Sequence, residues 1–275
     1  MEKNIGFIGA GNMGSAIIGG MIESKTIQSS HIMVSDLNVG RLEALAKSYK
    51  IATTSSNIDI AKMSDILFLA VKPDMYRHVI GEINEYLKTD VVIVSIAAGI
   101  TIEEMYTYFD DVPVKIIRTM PNTPSLVNKG ITAVCLGENV TDTDAQATID
   151  ILSSIGKVEI LPEYLFHAFI GVAGSSPAYV YMLIDAMADA GVKYGLTKEQ
   201  AIKMSAKAVL GTAQMVLDLG EHPMVLKDRV CSPGGTTIEA VCTLEEQGFR
   251  NAVITAISDC VEKSMEMEKR KELSR

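Results

Sequence analysis

The segment Gly9-Ala10-Gly11-Asn12-Met13-Gly14 has the spacing G-x-G-x-x-G, follows an apolar run directly, and opens a helical pattern through Ile17 and Ile18. This constrains the fold more than any other feature of the chain. Gly9 permits a tight turn, Gly11 lets a pyrophosphate approach the backbone, and Gly14 lets the helix pack close to the strand. The helix start then offers unpaired N–H groups and a partial positive charge to phosphates. A strand–turn–helix unit built to hold a dinucleotide is expected here.

The chain around this turn agrees. Short apolar runs alternate with helical patterns up to about residue 160, as in parallel βαβ units. Strands are expected near Asn4–Gly9, Ile32–Ser35, Ile66–Val71, Val91–Ile96, Lys115–Thr119, Thr132–Leu136 and Val158–Leu161, several apolar on both faces as in a sheet covered by helices. After Pro162 no strand pattern survives. Tyr179 to Ala190 reads as a helix with Gly191 as its stop. Thr197 with Gln200 forms a capping box that opens a long helix to Leu219, closed by Gly220. Pro223 starts a short helix, and two more flank Gly248. The fold class is α/β: a Rossmann-type dinucleotide-binding domain over residues 1–161, then an all-helical substrate and dimerisation domain over 162–275. The apolar stripes after residue 178 are too continuous for this segment to bury alone: it shares a core with the first domain or, the sharper expectation, forms a homodimer with interlocking helices.

Composition removes several function classes. The 275 residues carry a net charge of −9, and the longest basic block is Lys269-Arg270-Lys271, so nucleic acid is not an expected partner. The longest apolar run, Val91 to Ile100, falls short of the ~20 residues of a membrane helix. Glu2 and Lys3 precede a glycine-punctuated strand, with no secretory core. Cys135, Cys231, Cys242 and Cys260 lack C-x-x-C spacing and read as reduced thiols of a cytoplasmic protein. His31, His78, His167 and His222 are scattered, so no metal site is expected.

Other segments suggest what the two domains bind. Asp36 ends the second strand, 22 residues after Gly14, where a carboxylate would bind the adenosine ribose 2′-OH and favour NADH. Ser35 and Arg41 beside it are compatible with a 2′-phosphate, and Asp36 could instead cap the next helix. Ala70-Val71-Lys72-Pro73 ends the third expected strand on the dinucleotide side, where Lys72 could meet phosphate or ribose oxygens. Ala97-Ala98-Gly99 are small enough for a flat nicotinamide ring to approach backbone. Asn122, in Met120-Pro121-Asn122-Thr123-Pro124, could bind a carboxamide or substrate, or brace the turn. In the helical half, Ser232-Pro233-Gly234-Gly235-Thr236-Thr237 breaks two helices. Ser232 before Pro233 reads as N-cap plus first helical residue, and Thr236 with Glu239 as a second possible capping box. Either way the glycines expose backbone donors suited to a carboxylate. Gly174-Ser175-Ser176-Pro177-Ala178-Tyr179 is a second start of a helix built from small residues.

Taken together, GFIGAGNMG, LFLAVKP, VSIAAGIT, MPNTP, GSSPAY with DAMADAGVKYGL, and LKDRVCSPGGTTIEAV resemble the pyrroline-5-carboxylate reductase family over nearly the whole chain. The resemblance implies that Gly9, Ala10, Gly11, Asn12 and Met13, with Ser35, Asn57, Val71, Lys72 and Ala97, hold NADPH or NADH. It also implies that Glu163, Thr236 and Thr237, with the SPGG backbone and the segment around Ser175, surround an imino acid. No metal is implied, and the assembly is a dimer that can build larger rings. Two positions depart from the family pattern: Ser176 stands where it often has glycine, and Arg229 where it often has asparagine.

The implied activity is reduction of 1-pyrroline-5-carboxylate to L-proline, the last step of proline biosynthesis. The cofactor carries the hydride, and the protein positions the ring and tunes the field. The SPGG amides would hold the substrate carboxylate, and the Thr237 hydroxyl would meet the ring nitrogen. A threonine is no general acid at neutral pH, so the substrate arrives as iminium or water supplies the proton. Cys231 has no evident partner base, and hydride transfer needs no nucleophile. Three other readings are a β-hydroxyacid dehydrogenase, another imine reductase, and a dinucleotide-binding regulator without turnover. The first resembles this chain in its two-domain plan but uses a helix-borne lysine with asparagine four residues on, which neither Lys193 nor Lys198 has. The intact SPGGTT loop argues against the last.

Overall fold

The computed structural model describes residues 3–110 and 114–273, with side chains through Lys269. Glu2 and the side chains of Arg270 and Lys271 therefore lie outside the described residues. Eight strands form one sheet in the order β3-β2-β1-β4-β5-β6-β7-β8. They are β1 Ile5–Ile8, β2 Ile32–Ser35, β3 Ala52–Thr54, β4 Ile66–Leu69, β5 Val92–Ser95, β6 Lys115–Pro121, β7 Gly130–Leu136 and β8 Gly156–Ile160. The first six are parallel, β7 runs antiparallel to β6, and β8 runs parallel to β7. Strand order reverses between β1 and β4, so the loops leaving their C-terminal ends part and open a crevice, the usual place for a dinucleotide.

Strand side chains alternate between two apolar layers, which is why these strands read as apolar on both faces. Phe7, Phe68, Val94 and Ile117 join one core with α1 (Asn12–Glu23), α2 (Val39–Tyr49) and α6 (Asp142–Ser153). Leu67, Leu69, Ile93 and Ile116 join the other with α3 (Asn57–Met63), α4 (Tyr76–Ile83) and α5 (Ile102–Tyr108). Phe7 and Phe68, register partners on β1 and β4, stack with centroids 4.7 Å apart. Strand β3 is the element that the sequence reading lacks. It is a three-residue edge strand with no buried residue, too short and too polar to show a period.

Beyond β8 the chain is helical: α7 (Phe166–Phe169), a π-helical turn (Ile170–Gly174), α8 (Ser176–Lys193), α9 (Lys198–Leu219), α10 (Pro223–Val230), α11 (Thr236–Glu246) and α12 (Phe249–Leu273). The capping box forms as expected, with Thr197 Oγ1 accepting from Gln200 N at 3.2 Å and Gln200 Oε1 from Thr197 N at 3.1 Å. Gly220 closes α9 at φ 63°. Gly191, in contrast, does not stop α8, which continues to Lys193. A Cβ there would lie 3.0 Å from the Ala201 Cβ, so Gly191 marks a close approach between α8 and α9.

Two compact units result, Met1–Gly174 with Ser264–Arg275, and Ser175–Lys263. The division falls after Gly174, beyond the expected boundary at Leu161. Phe166 and Phe169 pack with Met120 and Ala133, and this anchors the start of the helical segment to the sheet. His167 adds to the first unit by bonding Ser264 Oγ at 2.9 Å and Glu268 Oε2 at 2.8 Å. In the second unit the buried apolar residues among those described are Ala188 and Ala201 alone, while Met182 and Leu217 are 73 % and 75 % exposed.

Candidate active site

The glycine loop joins β1 to α1 as its spacing requires. Gly9 has φ 107°, and a Cβ there would come within 2.5 Å of the Ala70 carbonyl oxygen. A Cβ on Gly14 would lie 2.6 Å from the Gly9 oxygen. Gly11 differs, because its Cβ would meet nothing within 4 Å. It caps α1 without a side-chain bond, and no acidic residue stands in the first turn, so the leading amides remain available to an anion. Ala10 is buried and Met13 packs on the core beneath the loop.

A cleft of about 910 Å³ lies against this loop. Gly9, Gly11, Asn12, Ser35, Asp36, Asn57, Ala70, Val71 and Lys72 all line it, so the structure assembles most of the expected cofactor residues. Asp36 has partners within the protein: Oδ2 accepts the Ala10 N–H and Oδ1 the Asn38 N–H, each at 2.7 Å. Asn38, not Asp36, caps α2 by accepting from Arg41 N at 3.1 Å. The Arg41 guanidinium is 3.9 Å from Asp36 Oδ2. Ser35 donates to Asn57 Oδ1 at 2.7 Å, and Asn57 Nδ2 donates to Glu82 Oε2 at 2.8 Å. Glu82 and His78 also line the cleft, and sequence reasoning missed both. They sit on α4, whose helical pattern carries no motif.

Other expected residues stand apart from the cleft lining. Pro73 begins a 3-10 turn behind Lys72. The Ala97 side chain is buried in the core, leaving only backbone for a ring to approach, and its N–H meets Ser95 Oγ at 3.4 Å. Ser95 donates to the buried Tyr76 hydroxyl at 3.1 Å, which donates to the Leu69 carbonyl at 2.6 Å. Burial pushes the Tyr76 hydroxyl up to about 12 despite its bond with Ser95. Asn122 braces its turn: Oδ1 accepts from Ile131 N and Nδ2 donates to Ala173 O, each at 3.0 Å. That is the second of its two readings, and the protein itself occupies both ends of the amide.

Glu163, in the turn before α7, accepts from Arg118 Nη1 and from the Ile102 N–H, both at 2.8 Å and both on Oε1. Arg118, an interior charge on β6, gave no sequence signal because its partner lies 45 residues away.

In the second unit the SPGG segment corrects two expectations. Ser232 and Pro233 do not begin a helix; α11 starts at Thr236 with Gly235 as N-cap and no side-chain cap bond. Thr236 is thus already helical, and Glu239 falls one position too late to complete a capping box. Gly234 takes φ 63°, and Gly235 N bonds Ser232 O at 3.1 Å, folding the loop under the helix start. Thr236 and Thr237 occupy the first two helical positions, where backbone N–H groups lack intrahelical acceptors. Ser175 caps α8 without a side-chain bond to it and instead accepts from Cys260 Sγ at 3.4 Å. Arg229 forks onto Glu221 at 2.7 and 2.5 Å. Among the described residues no group of three metal-ligating side chains occurs, and no helix is long and apolar enough to cross a membrane.

Comparison with known proteins agrees with this arrangement. Residues 163–267 match a family model for pyrroline-5-carboxylate reductase dimerisation, and residues 4–99 one for coenzyme F420-dependent NADP oxidoreductases. The pyrroline-5-carboxylate reductase of Escherichia coli is 48 % identical over 98 % of this chain and 100 % of its own length. A crystallised pyrroline-5-carboxylate reductase from Coxiella burnetii superposes with a TM-score of 0.91 at 31 % identity, over 97 % of this chain and 98 % of that one. A Plasmodium falciparum pyrroline carboxylate reductase solved with NADP bound gives 0.84 at 32 %, with the same coverage. A dinucleotide turn, a glycine-capped helix start and these likenesses over nearly the full length lead to one conclusion: the chain belongs to the pyrroline-5-carboxylate reductase family.

Proposed function

We propose that the chain reduces 1-pyrroline-5-carboxylate to L-proline, the last step of proline biosynthesis, with NADPH or NADH. The observation that carries this reading is the start of α11. A helix capped by glycine, with no side chain on its amides, is suited to a small carboxylate. The bound cofactor supplies the hydride, and everything else falls to the protein. The Gly9–Gly14 turn and the first amides of α1 hold the pyrophosphate, and Ser35, Asp36, Asn57 and Lys72 hold the ribose and phosphate groups. The backbone at Ala97 lies against the nicotinamide. Ser232, Gly234, Gly235 and Thr236 hold the substrate carboxylate with Ser175 nearby, Thr237 meets the ring nitrogen, and Glu163 supplies an anion to the substrate.

Dinucleotide binding is assigned to residues 1–161, and substrate binding with dimerisation to 162–275. The nearly coreless second unit supports a homodimer, which can build a larger ring. The net charge of −9 argues against nucleic acid, and the absence of a membrane-spanning helix among the described residues fits a cytoplasmic protein. Following NADH and NADPH oxidation with pyrroline-5-carboxylate and, separately, with 3-hydroxy acids tests the assignment. Turnover of the hydroxy acids alone would transfer the chain to the dehydrogenases, and no turnover with either would leave a binding protein.

A further inference from the structure

Arg118 lies mid-strand in β6 and is 2 % exposed. A guanidinium withdrawn so far from water is destabilising unless it meets an anion. That anion is Glu163, reached through Nη1 at 2.8 Å. The same carboxylate oxygen, Oε1, accepts the Ile102 N–H at 2.8 Å. The guanidinium also lies 4.6 Å from the Phe166 ring centroid, and its buried Nε has no hydrogen-bond partner among the described residues. One oxygen thus fastens β6, the start of α5 and the turn before α7.

The second oxygen is what remains. The Glu163 side chain is 29 % exposed, and Oε2 makes no hydrogen bond among the described residues. A carboxylate that only neutralised an arginine would do best with both oxygens on the fork. Here the arginine takes one oxygen, a helix amide helps to hold it, and the other stays open. The location matters as well. Ile102 begins α5, and the loop before it carries Ala97, whose backbone lies against the nicotinamide in the proposed arrangement.

We propose that Arg118 is a positioning residue for imine reduction: it holds Glu163 by Oε1 so that Oε2 accepts the N–H of the protonated imine. The proposal rests on the assignment of pyrroline-5-carboxylate as substrate. The protonated imine is the electrophile, and a carboxylate bonded to its N–H favours that form over the neutral one. On reduction, the hydride pair from the reduced nicotinamide forms the new C–H bond at the imine carbon. The C=N π pair becomes the nitrogen lone pair, and the proton stays on nitrogen. No bond to the protein forms. Among the described residues, the charged and titratable groups that face Glu163 from other elements are Arg118 from β6 and the Cys135 thiol from β7, and α5 contributes the Ile102 amide. Burial first, and then the Glu163 charge, push the Cys135 thiol up, which keeps it neutral.

The test compares Glu163→Gln, Arg118→Lys and the double variant. Rates with pyrroline-5-carboxylate are followed across pH, NADH affinity by fluorescence titration, and L-proline affinity by calorimetry. Each single variant is expected to lower kcat/KM for the imino acid by roughly 10- to 100-fold, the loss of one charge-assisted hydrogen bond. The alkaline limb should move to lower pH and NADH affinity should hold. L-Proline, a secondary ammonium, should bind Glu163→Gln more weakly without any turnover. The double variant should be no worse than the more impaired single. A wild-type alkaline limb and wild-type proline affinity in Glu163→Gln overturn the proposal, and so does a double variant whose loss is the product of the two singles. If Arg118→Lys does not fold, Ile102→Pro removes the other donor on Oε1 at a first helical position, where proline is tolerated; unchanged kcat/KM in that variant overturns the clamp. Wild-type protein that fails to oxidise NADH or NADPH with pyrroline-5-carboxylate overturns the functional assignment itself, and is seen before any variant is made.

Discussion

The Asp36 carboxylate accepts the backbone N–H of Ala10 at 2.7 Å, tying the end of β2 to the glycine loop after β1. Its other oxygen holds Asn38 N, so one side chain both shapes the loop and places negative charge in the cleft beside Ser35 and Arg41. Replacing it should separate the two roles. Asp36→Ser removes the charge that opposes a 2′-phosphate, and kcat/KM for NADPH should rise relative to NADH. It also frees the Ala10 amide, so affinity for both cofactors should fall by roughly 10-fold, a bond to a charged group being lost. Steady-state kinetics with each cofactor check both effects, and no relative gain for NADPH removes Asp36 as a specificity determinant.

Two of the loop glycines should fail in different ways. Gly11 has φ −69° and ψ −177°, which any residue adopts, and its Cβ would point into open space. Gly11→Val should therefore melt close to wild type yet lose NADH binding, because the side chain occupies the path of a pyrophosphate. Gly14→Val drives a side chain against the Gly9 carbonyl, already 2.6 Å from a bare Cβ, and should unfold the domain. Thermal melts with and without NADH distinguish them. Unchanged cofactor affinity in Gly11→Val would mean that the loop holds no pyrophosphate.

How far the chain could be read in advance follows from where each signal lies. The glycine loop, the Thr197 capping box and the Gly220 stop are written in adjacent residues, and all three appear as expected. Strand β3 escaped because an edge strand of three residues buries nothing. Gly191 misled because a glycine can end a helix or admit a neighbour, and only Ala201 reveals which. Ser232-Pro233 carries a local helix-start signal that the positive φ of Gly234 overrides. The pairing of Arg118 with Glu163 is legible only in space, since the strand and the turn that carry them are 45 residues apart.

The second unit should exist as a dimer in solution. With apolar residues such as Met182, Leu217 and Ile254 exposed and only two alanines among its buried apolar residues, it lacks a core of its own. Sedimentation equilibrium should give at least twice the chain mass of 29.7 kDa. A monomer at micromolar concentration contradicts the shared core.

Acid should weaken the first unit through Asp144. Burial raises its carboxyl pKa, but hydrogen bonds from Thr141, Lys115 and Lys3 outweigh burial and hold it at about 2. Lys115 and Lys3 lie 2.9 and 3.1 Å away. A folded value below the unfolded ~3.9 means that this contribution is present above about pH 4 and lost as pH falls towards 2. It is on the order of 2 kcal/mol. Asp144→Asn should lower stability at pH 7 and flatten its decline between pH 4 and 2, as read by urea unfolding at each pH. A variant whose decline parallels wild type would assign the acid limb to other carboxylates.

Thr237 carries the most direct test of the chemistry. It is the second residue of α11, behind a glycine N-cap that uses no side chain, so removing its hydroxyl deprives the helix of no cap. Any loss in Thr237→Ala should therefore fall on turnover and leave stability intact. If the hydroxyl meets the ring nitrogen where positive charge is lost on reduction, the bond contributes on the order of 1 kcal/mol, and about 2–3 with a charged partner. Each ~1.4 kcal/mol is tenfold in rate, so kcat/KM for pyrroline-5-carboxylate should fall roughly 10- to 100-fold. NADH affinity and the melting temperature should stay near wild type. Thr237→Ser keeps the hydroxyl and should recover most of the activity. Equal impairment in Ala and Ser would make methyl packing the relevant contribution. Full activity in both would leave the amides of the SPGG turn to orient the ring without help from this side chain.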